Sequence, residues 1–419
     1  MDIIAIFVIV LLVYALLSER IAKTPLTAPI VFTALGMLMH PHWSRIAAAG
    51  VTGGVFLSVA EVGLVLLLFT DASRTDLRVL RSIGTLPARL LSAGMLLTIL
   101  LGAVVARLVF PSLSLWEAGI LSAILAPTDA GLGQIIVSSS RVPMRIRQAL
   151  NVEAGLNDGL SVPFMLFFMA IAAAKIEGGA SSLLQFMGEQ LGLGIIVGAA
   201  VGLIGGWLLS IANRRGYIAE SFRQIAVVTL PLLCLLLAEM VDASMFIAAF
   251  VAGLTVQIPF KEAGQQSVEF AEEWGQIFNL SVFFIFGMVV MRDWRQFTVA
   301  SWIYALLSLT VVRMLPVAIS LIGTRLSRPT VLFMGWFGPR GLASIVLGMV
   351  YLEQELHLPG EATIRFAVMA TVVLSIFAHG LSAIPGISIY ARKVAALGAS
   401  APESLDDGSL KSKSQAASG

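Results

Sequence analysis

One apolar segment of bilayer length follows another along this chain, and that repetition leaves it few ways to fold. Read with a window of about 20 residues, apolar runs fall near 2–18, 25–40, 52–71, 84–110, 114–138, 146–174, 186–212, 222–240, 243–260, 276–291, 299–323, 330–352 and 363–390. Such segments cross lipid only as helices, because hydrocarbon offers backbone N–H and C=O groups no partner outside the helix itself. The expectation is an all-α polytopic membrane protein of about thirteen transmembrane helices. Charged residues make up 12% of the chain, against about 25% in a soluble domain. The runs at 25–40 and 276–291 are short, which suits tilted or partly re-entrant helices.

A formal net charge of +2 is too small for a nucleic-acid footprint, so nucleic acid is discarded as a partner. A single cysteine, Cys234 in an apolar run, rules out an intrachain disulfide framework or a cysteine zinc site. His40, His42, His357 and His379 lack a metal-ligand spacing, and no cofactor is expected. Asp2 precedes the first apolar run and Glu19, Arg20 and Lys23 follow it, the reverse of a secretory signal, so the run reads as a retained span. Roughly 19 of the 27 Lys and Arg lie in the odd-numbered connections and the C-terminal tail, which puts the N-terminus outside and the C-terminus in the cytoplasm. Residues 1–394 read as one membrane domain. Residues 395–419, rich in Ser, Ala and Gly, read as a disordered cytoplasmic tail.

Function is expected where charge stands inside these spans. A carboxylate in the bilayer costs about 2.5 to 3.5 kcal/mol even on insertion scales, so it persists only facing a cavity, a partner or an ion. Asp129 lies in APTDAG, where Pro127 disfavours helix at Ala126 and Gly131 and Gly133 weaken it beyond, so the helix breaks around Thr128 and Asp129. In transporters such breaks put helix ends and bare carbonyls at an ion site. In the next span, NVEAGLND, helical spacing puts Glu153 and Asn157 on one face and Ala154 and Asp158 on the adjacent one. The two acids therefore look at different neighbours: Glu153 reads as half of a structural ion pair and Asp158 as the ion- or proton-exchanging group.

Arg340, in the second Gly-Pro interruption WFGPRGLAS, and Arg313, in LTVVRMLPVAI, are the counter-charges inside spans. Arg340 is assigned to Glu153, and Arg313 to balancing the site or the crossing helices. Thr70 and Asp71 at the end of the third span are accessory candidates, with a helix-terminal cap as the plainer reading. Glu239 and Asp242 read as residues of a solvated turn.

At these residues the chain resembles the monovalent cation:proton antiporter family of NhaP-type and NHE-type sodium:proton exchangers. The likeness runs through nearly all of the hydrophobic region and rests on ExxxND (Glu153, Asn157, Asp158), on Pro127-Thr128-Asp129, on SMFIAAFVAGL and on GPRGLAS. It implies two inverted repeats with two broken helices crossing at the ion site, a core bundle and a dimerisation bundle, and a homodimer in the bilayer. It further implies that Asp158 alternately binds H⁺ or Na⁺, that Thr128 and Asp129 line the Na⁺ site, and that Asn157 stands where electrogenic relatives carry a second acid. The chain departs from many relatives in having Ala154 where a Ser hydroxyl often serves, and Thr70 and Asp71 where a Glu can contribute.

The chemistry needs only competition. A proton and a hard alkali cation exclude each other at one desolvated carboxylate, and oxygen ligands suit Na⁺ or Li⁺ better than any soft metal. The expected function is electroneutral Na⁺/H⁺ exchange at a bacterial inner membrane, by a transporter and not an enzyme. The alternatives are K⁺/H⁺ exchange, an ion channel, and an intramembrane aspartyl protease, the last because GLND partly matches that class's GxGD element.

Overall fold

The computed structural model describes residues 3–21, 24–42, 53–74, 86–177, 188–260, 266–354, 356–397 and 402–403. Among these residues the fold is helical throughout, with no strand. The helices are α1 (Ile3–Ile21), α2 (Ala28–Met39), α3 (Gly53–Arg74), α4 (Leu86–Val109), α5 (Leu115–Ile124), α6 (Ala130–Ser138), α7 (Met144–Glu177) and α8 (Gly194–Arg214). They continue as α9 (Glu220–Glu239), α10 (Met245–Val256), α11 (Gln266–Asp293), α12 (Val299–Leu309), α13 (Val311–Ser320), α14 (Arg328–Trp336), α15 (Leu342–Glu353) and α16 (Glu361–Ala395). Seven helical stretches among the described residues are long and apolar enough to cross a membrane, fewer than the thirteen apolar runs of the sequence. The difference arises partly because α2, α5, α10 and α15 are apolar but short. In the α5/α6 and α14/α15 pairs one apolar run is divided between two helices by a non-helical stretch.

The helices form two packing groups. In one, α8 packs on α10, α2 on α11, α3 on both α10 and α11, and α9 on α10. The approach of α2 to α11 requires glycine on both sides. A side chain at Gly36 would strike the backbone of Phe284, and one at Gly287 that of Thr33, so the two backbones lie in direct contact, as small residues permit in membranes. In the other group α5 packs between α4 and α7, α6 lies on α7, α13 on α14, and α16 runs along α12, α14 and α15. The chain connects the groups through α3, which touches α7 and α15.

Side-chain caps tie down the ends. Ser114 and Glu117 form a capping box at the start of α5, and Glu117 also accepts from the Gly360 amide at 2.6 Å, fixing α5 to the turn before α16. At the start of α14, Ser327 N and Thr330 Oγ1 donate to Glu403 Oε1 at 2.7 and 2.9 Å, and Arg145 Nη1 donates to the Pro402 carbonyl at 2.8 Å. Of the segment expected to be disordered, Ala395 ends α16 and the Leu397 amide donates to the Val394 carbonyl at 2.9 Å, while residues 402 and 403 are held because Glu403 satisfies an otherwise orphaned amide of a helix N-terminus. The remainder of that expectation, 398–401 and 404–419, lies outside the described residues.

Burial acts to raise the Glu403 carboxyl, but the hydrogen bonds from Ser327 and Thr330 outweigh it and hold it below its ordinary value of 4.5. A depressed carboxyl stabilises docking above the ordinary value and loses that contribution as pH falls through the lowered one. Spin labels at Arg141 and Pro402, in a Cys234→Ser background, should give one narrow distance at neutral pH and a broad distribution well below pH 4.5. Glu403→Gln should already be broad at neutral pH. Identical distributions at both pH values would show that this carboxylate does not hold the segment.

Candidate functional site: two crossing interrupted helices

Both interruptions follow from proline. Ala126 and Pro127 leave the helical conformation after α5, and Gly338 and Pro339 do so after α14. The two non-helical segments meet, with the Asp129 amide donating to the Pro339 carbonyl at 2.8 Å. Four helix ends converge there, and a helix end carries partial charge and unpaired backbone groups that must find partners.

Asp129 serves two of them. Its Oδ1 accepts from the Leu132 amide of α6 at 2.8 Å and its Oδ2 from the Leu342 amide of α15 at 2.6 Å, so one carboxylate caps both N-termini. A side chain at Gly341 would strike this carboxylate, which explains why glycine occupies that position. Arg340 serves the C-terminal end of α5. Its Nη1 donates to the carbonyls of Ala126 and Pro127 at 2.8 and 2.9 Å, and Ser344 Oγ donates to the Ile124 carbonyl at 2.8 Å. Arg340 is wholly buried.

These bonds overturn the pairing of Glu153 with Arg340. Arg313 on α13 holds Glu153 instead, in a bidentate pair with Nη1–Oε1 at 2.5 Å and Nη2–Oε2 at 2.9 Å and both side chains at most 5% exposed. Two parallel bonds of this kind satisfy both carboxylate oxygens. Arg340 lies in the extended crossing segment, where it neutralises the carbonyls that the broken α5 leaves unpaired. Glu153 stands in a buried ion pair, and its partner is the other arginine.

One turn further along α7, Asn157 Nδ2 donates to Thr128 Oγ1 at 2.7 Å, linking α7 to the first break. Asp158 is buried beside it, within the fields of Asp129, Asp71 and Arg340. Among the described residues, Asp158 Oδ1 and Asn157 Oδ1 are buried oxygens without a hydrogen-bond partner. Unpartnered buried oxygens are costly unless something binds them, and a hard cation is a suitable occupant. A small cavity reaches the crossing from the α6 side and is lined by Thr128, Asp129, Glu153, Ala154, Phe337 and Pro339. Asp71 packs against the backbone of Gly155 on α7, near Asp158, and the buried Thr70 hydroxyl lacks a partner among the described residues. The residues expected at the site are therefore gathered around the N-terminal half of α7, with Arg313 set on Glu153.

Sequence reasoning missed Ser375 and His379 on α16, which bond to the second break. Their signal was present: two polar residues spaced i, i+4 inside the apolar run VVLSIFAHGL.

These features define a class, that of membrane transporters built around two crossing interrupted helices with a titratable acid beside the crossing. The profile described as sodium/hydrogen exchanger, transmembrane, matches residues 7–387, and the chain belongs to that family. The chain is 26% identical over 373 residues to a Na⁺/H⁺ antiporter of Schizosaccharomyces pombe, covering 82% of this chain and 77% of the relative. It is 24% identical over 396 residues to a K⁺/H⁺ antiporter, NhaP, of Alkalimonas amylolytica, covering 91% of this chain and 65% of the relative. In fold it is similar to the sodium proton antiporter MjNhaP1 of Methanocaldococcus jannaschii, with a TM-score of 0.71 at 19% identity, over 90% of this chain and 98% of that one.

Removing one partner of a buried ion pair strands the other charge and costs about 3 to 5 kcal/mol. Glu153→Gln and Arg313→Ala should each lower the melting temperature in detergent markedly, and the double variant should lose much less than the sum. Strictly additive losses would show that the two side chains are energetically independent.

Proposed function

We propose that this protein exchanges Na⁺ for H⁺ across the membrane, one for one, with Asp158 as the carboxylate that both ions share. The observation that carries this reading is the buried Asp158 Oδ1, without a partner among the described residues, beside the Asn157–Thr128 pair at the crossing. Binding of Na⁺ and protonation are alternatives at such a group, because either neutralises the same buried charge. Thr128 and Asn157 supply neutral oxygens. Asp129 lines the site while capping the two helices that form it. Thr70 and Asp71 approach from α3, and Ala154 contributes no ligand, which leaves room for water in the cavity beside it.

Exchange follows if Asp158 is exposed to one side at a time. Helix ends that meet through a few side-chain bonds permit this, since the core group can shift against the α2/α3/α8–α11 group without unpairing backbone groups. The charge count supports electroneutrality: Asn157 is neutral, Glu153 is matched by Arg313, Asp129 faces two positive helix ends, and Asp71 and Arg340, which both act on Asp158, are of opposite sign. Li⁺ fits the same oxygen chemistry. K⁺/H⁺ exchange is the second reading, favoured by the similarity to the K⁺/H⁺ antiporter NhaP.

The setting is a multi-pass plasma membrane, the bacterial inner membrane, with the N-terminus outside and the C-terminus cytoplasmic. We assign the exposed apolar faces of α1 (Val8, Leu12, Leu16) and α8 (Ile196, Trp207) to lipid and to the second subunit of a homodimer.

Proteoliposomes loaded with a pH-sensitive dye and challenged with Na⁺, Li⁺ and K⁺ test the proposal. Na⁺ should drive proton movement, and Asp158→Asn should abolish it in a protein that still melts cooperatively. Exchange near the wild-type rate in Asp158→Asn would overturn the assignment. Moving one net charge would couple turnover to the potential at about 2.3 kcal/mol per 100 mV. The rate should therefore not change when valinomycin sets a potential, and a clear acceleration or slowing would refute one-for-one stoichiometry.

A further inference from the structure

Asp129 caps α6 and α15, and Arg340 and Ser344 cap α5. The fourth end at the crossing, the C-terminal end of α14, is met by His379. Its Nε2 lies 2.9 Å from the Trp336 carbonyl, and its Nδ1 lies 3.1 Å from Ser375 Oγ, one turn earlier on α16. Ser375 Oγ also accepts from the Arg340 backbone amide at 2.6 Å. His379 and Ser375 are almost wholly buried, and the imidazole lies against the Trp336 ring with centroids 5.0 Å apart. Trp336 is held in turn by its indole N–H, which donates to Ser382 Oγ at 3.0 Å.

For a neutral ring, donor and acceptor roles in this chain follow from both ends. A backbone amide can only donate, so Ser375 Oγ accepts from Arg340 and retains its own proton to give. A carbonyl can only accept, so Nε2 must carry the imidazole proton. The neutral ring then presents a bare Nδ1, which takes the Ser375 proton. The Ser375 carbonyl, also 3.1 Å from Nδ1, offers that bare nitrogen no proton. The charged groups acting on the ring are Arg340 and Arg313, both cationic, and a neutral ring adds no third positive charge beside them.

We infer that His379 is a positioning residue for the cation site: through Ser375 it ties the Trp336 carbonyl at the end of α14 to the Arg340 amide, and so fixes the extended segment 337–341. Every bond that shapes the first break from the second comes from that segment or just beyond it. The Pro339 carbonyl holds the Asp129 amide, the Arg340 guanidinium holds the Ala126 and Pro127 carbonyls, and the Leu342 amide holds the Asp129 carboxylate. Thr128, the neighbour of Asp129 and partner of Asn157, is placed by these bonds. His379 does not touch the cation. It sets the register of the segment against which the ligands are arranged.

This inference rests on the proposed exchange for its transport consequence, but its chemistry is measured separately. With ¹⁵N-labelled histidine the protein gives four imidazole signal pairs, and His379→Gln identifies the one to follow. At mildly alkaline pH that ring should be the neutral Nε2–H tautomer, and Ser375→Ala should move its Nδ1 signal as the hydrogen bond is lost. An Nδ1–H tautomer, an imidazolium, or an Nδ1 signal indifferent to Ser375→Ala would overturn the proposed chain. In proteoliposomes, His379→Ala should raise the apparent KM for Na⁺ about tenfold, as expected when a positioning hydrogen bond is lost, with turnover at saturating Na⁺ little changed. His379→Gln, which keeps a donor and an acceptor, should recover most of that affinity. An unchanged KM in folded His379→Ala, or in folded Ser375→Ala should the former fail to fold, would remove the role. A wild type without cation-dependent proton movement would instead refute the exchange reading and leave the tautomer result standing.

Discussion

The Asp129 carboxylate, shared between the N-termini of α6 and α15, is the interaction on which the rest of this structure depends. A helix that stops inside a membrane leaves several backbone groups without partners, each costing several kcal/mol in a medium that cannot hydrogen-bond. Two such helices stopping at the same place raise that cost further, and only mutual satisfaction makes the arrangement stable. Asp129 accepts from one amide of each N-terminus, Arg340 donates to the carbonyls left by α5, and His379 meets the end of α14. The negative group stands at the positive helix ends and the positive group at a negative one, as the helix dipoles require.

In the proposed function this arrangement lets the site take a cation without being built from surplus negative charge. Glu153 is neutralised by Arg313, and Asp129 is balanced by helix ends. Asp158 makes no ion pair among the described residues, although the Arg340 cation and the Asp129 and Asp71 carboxylates act on it, and in the proposed cycle its charge is satisfied by a proton or by Na⁺. The neutral oxygens of Thr128 and Asn157 complete a setting in which ligand number can be high and net charge low, the condition under which a weakly held monovalent cation can enter and leave.

Much of this was legible in the sequence. Pro127 and Pro339 announced both breaks, because proline removes a donor and restricts the residue before it wherever it stands. The helical spacing of Glu153, Asn157 and Asp158 put the two acids on different faces of one helix, and the structure gives them different surroundings, an arginine at Glu153 and an unpartnered oxygen at Asp158. The partner of Glu153 was not legible. Arg313 and Arg340 both lie in apolar runs, and spacing along one helix says nothing of which distant helix packs against it. The structure decides in favour of Arg313 because Arg340 sits in an extended segment whose neighbours are bare carbonyls. Glu403 was hidden for another reason: a single acid in a Ser- and Ala-rich tail gives no sign that a helix N-terminus lies within reach. His379 has no metal-ligand spacing, and its signal in the sequence is the i, i+4 relation to Ser375 within an apolar run.

The central claim is that Na⁺ and a proton compete for one carboxylate. Calorimetric titration of the purified protein with Na⁺, in buffers of different ionisation enthalpy at a pH where Asp158 is protonated, counts the protons released per cation bound. The account predicts close to one proton released per Na⁺ in the wild type and no Na⁺-linked release in Asp158→Asn. Na⁺ binding to the wild type without proton release, or unchanged release in Asp158→Asn, would contradict it.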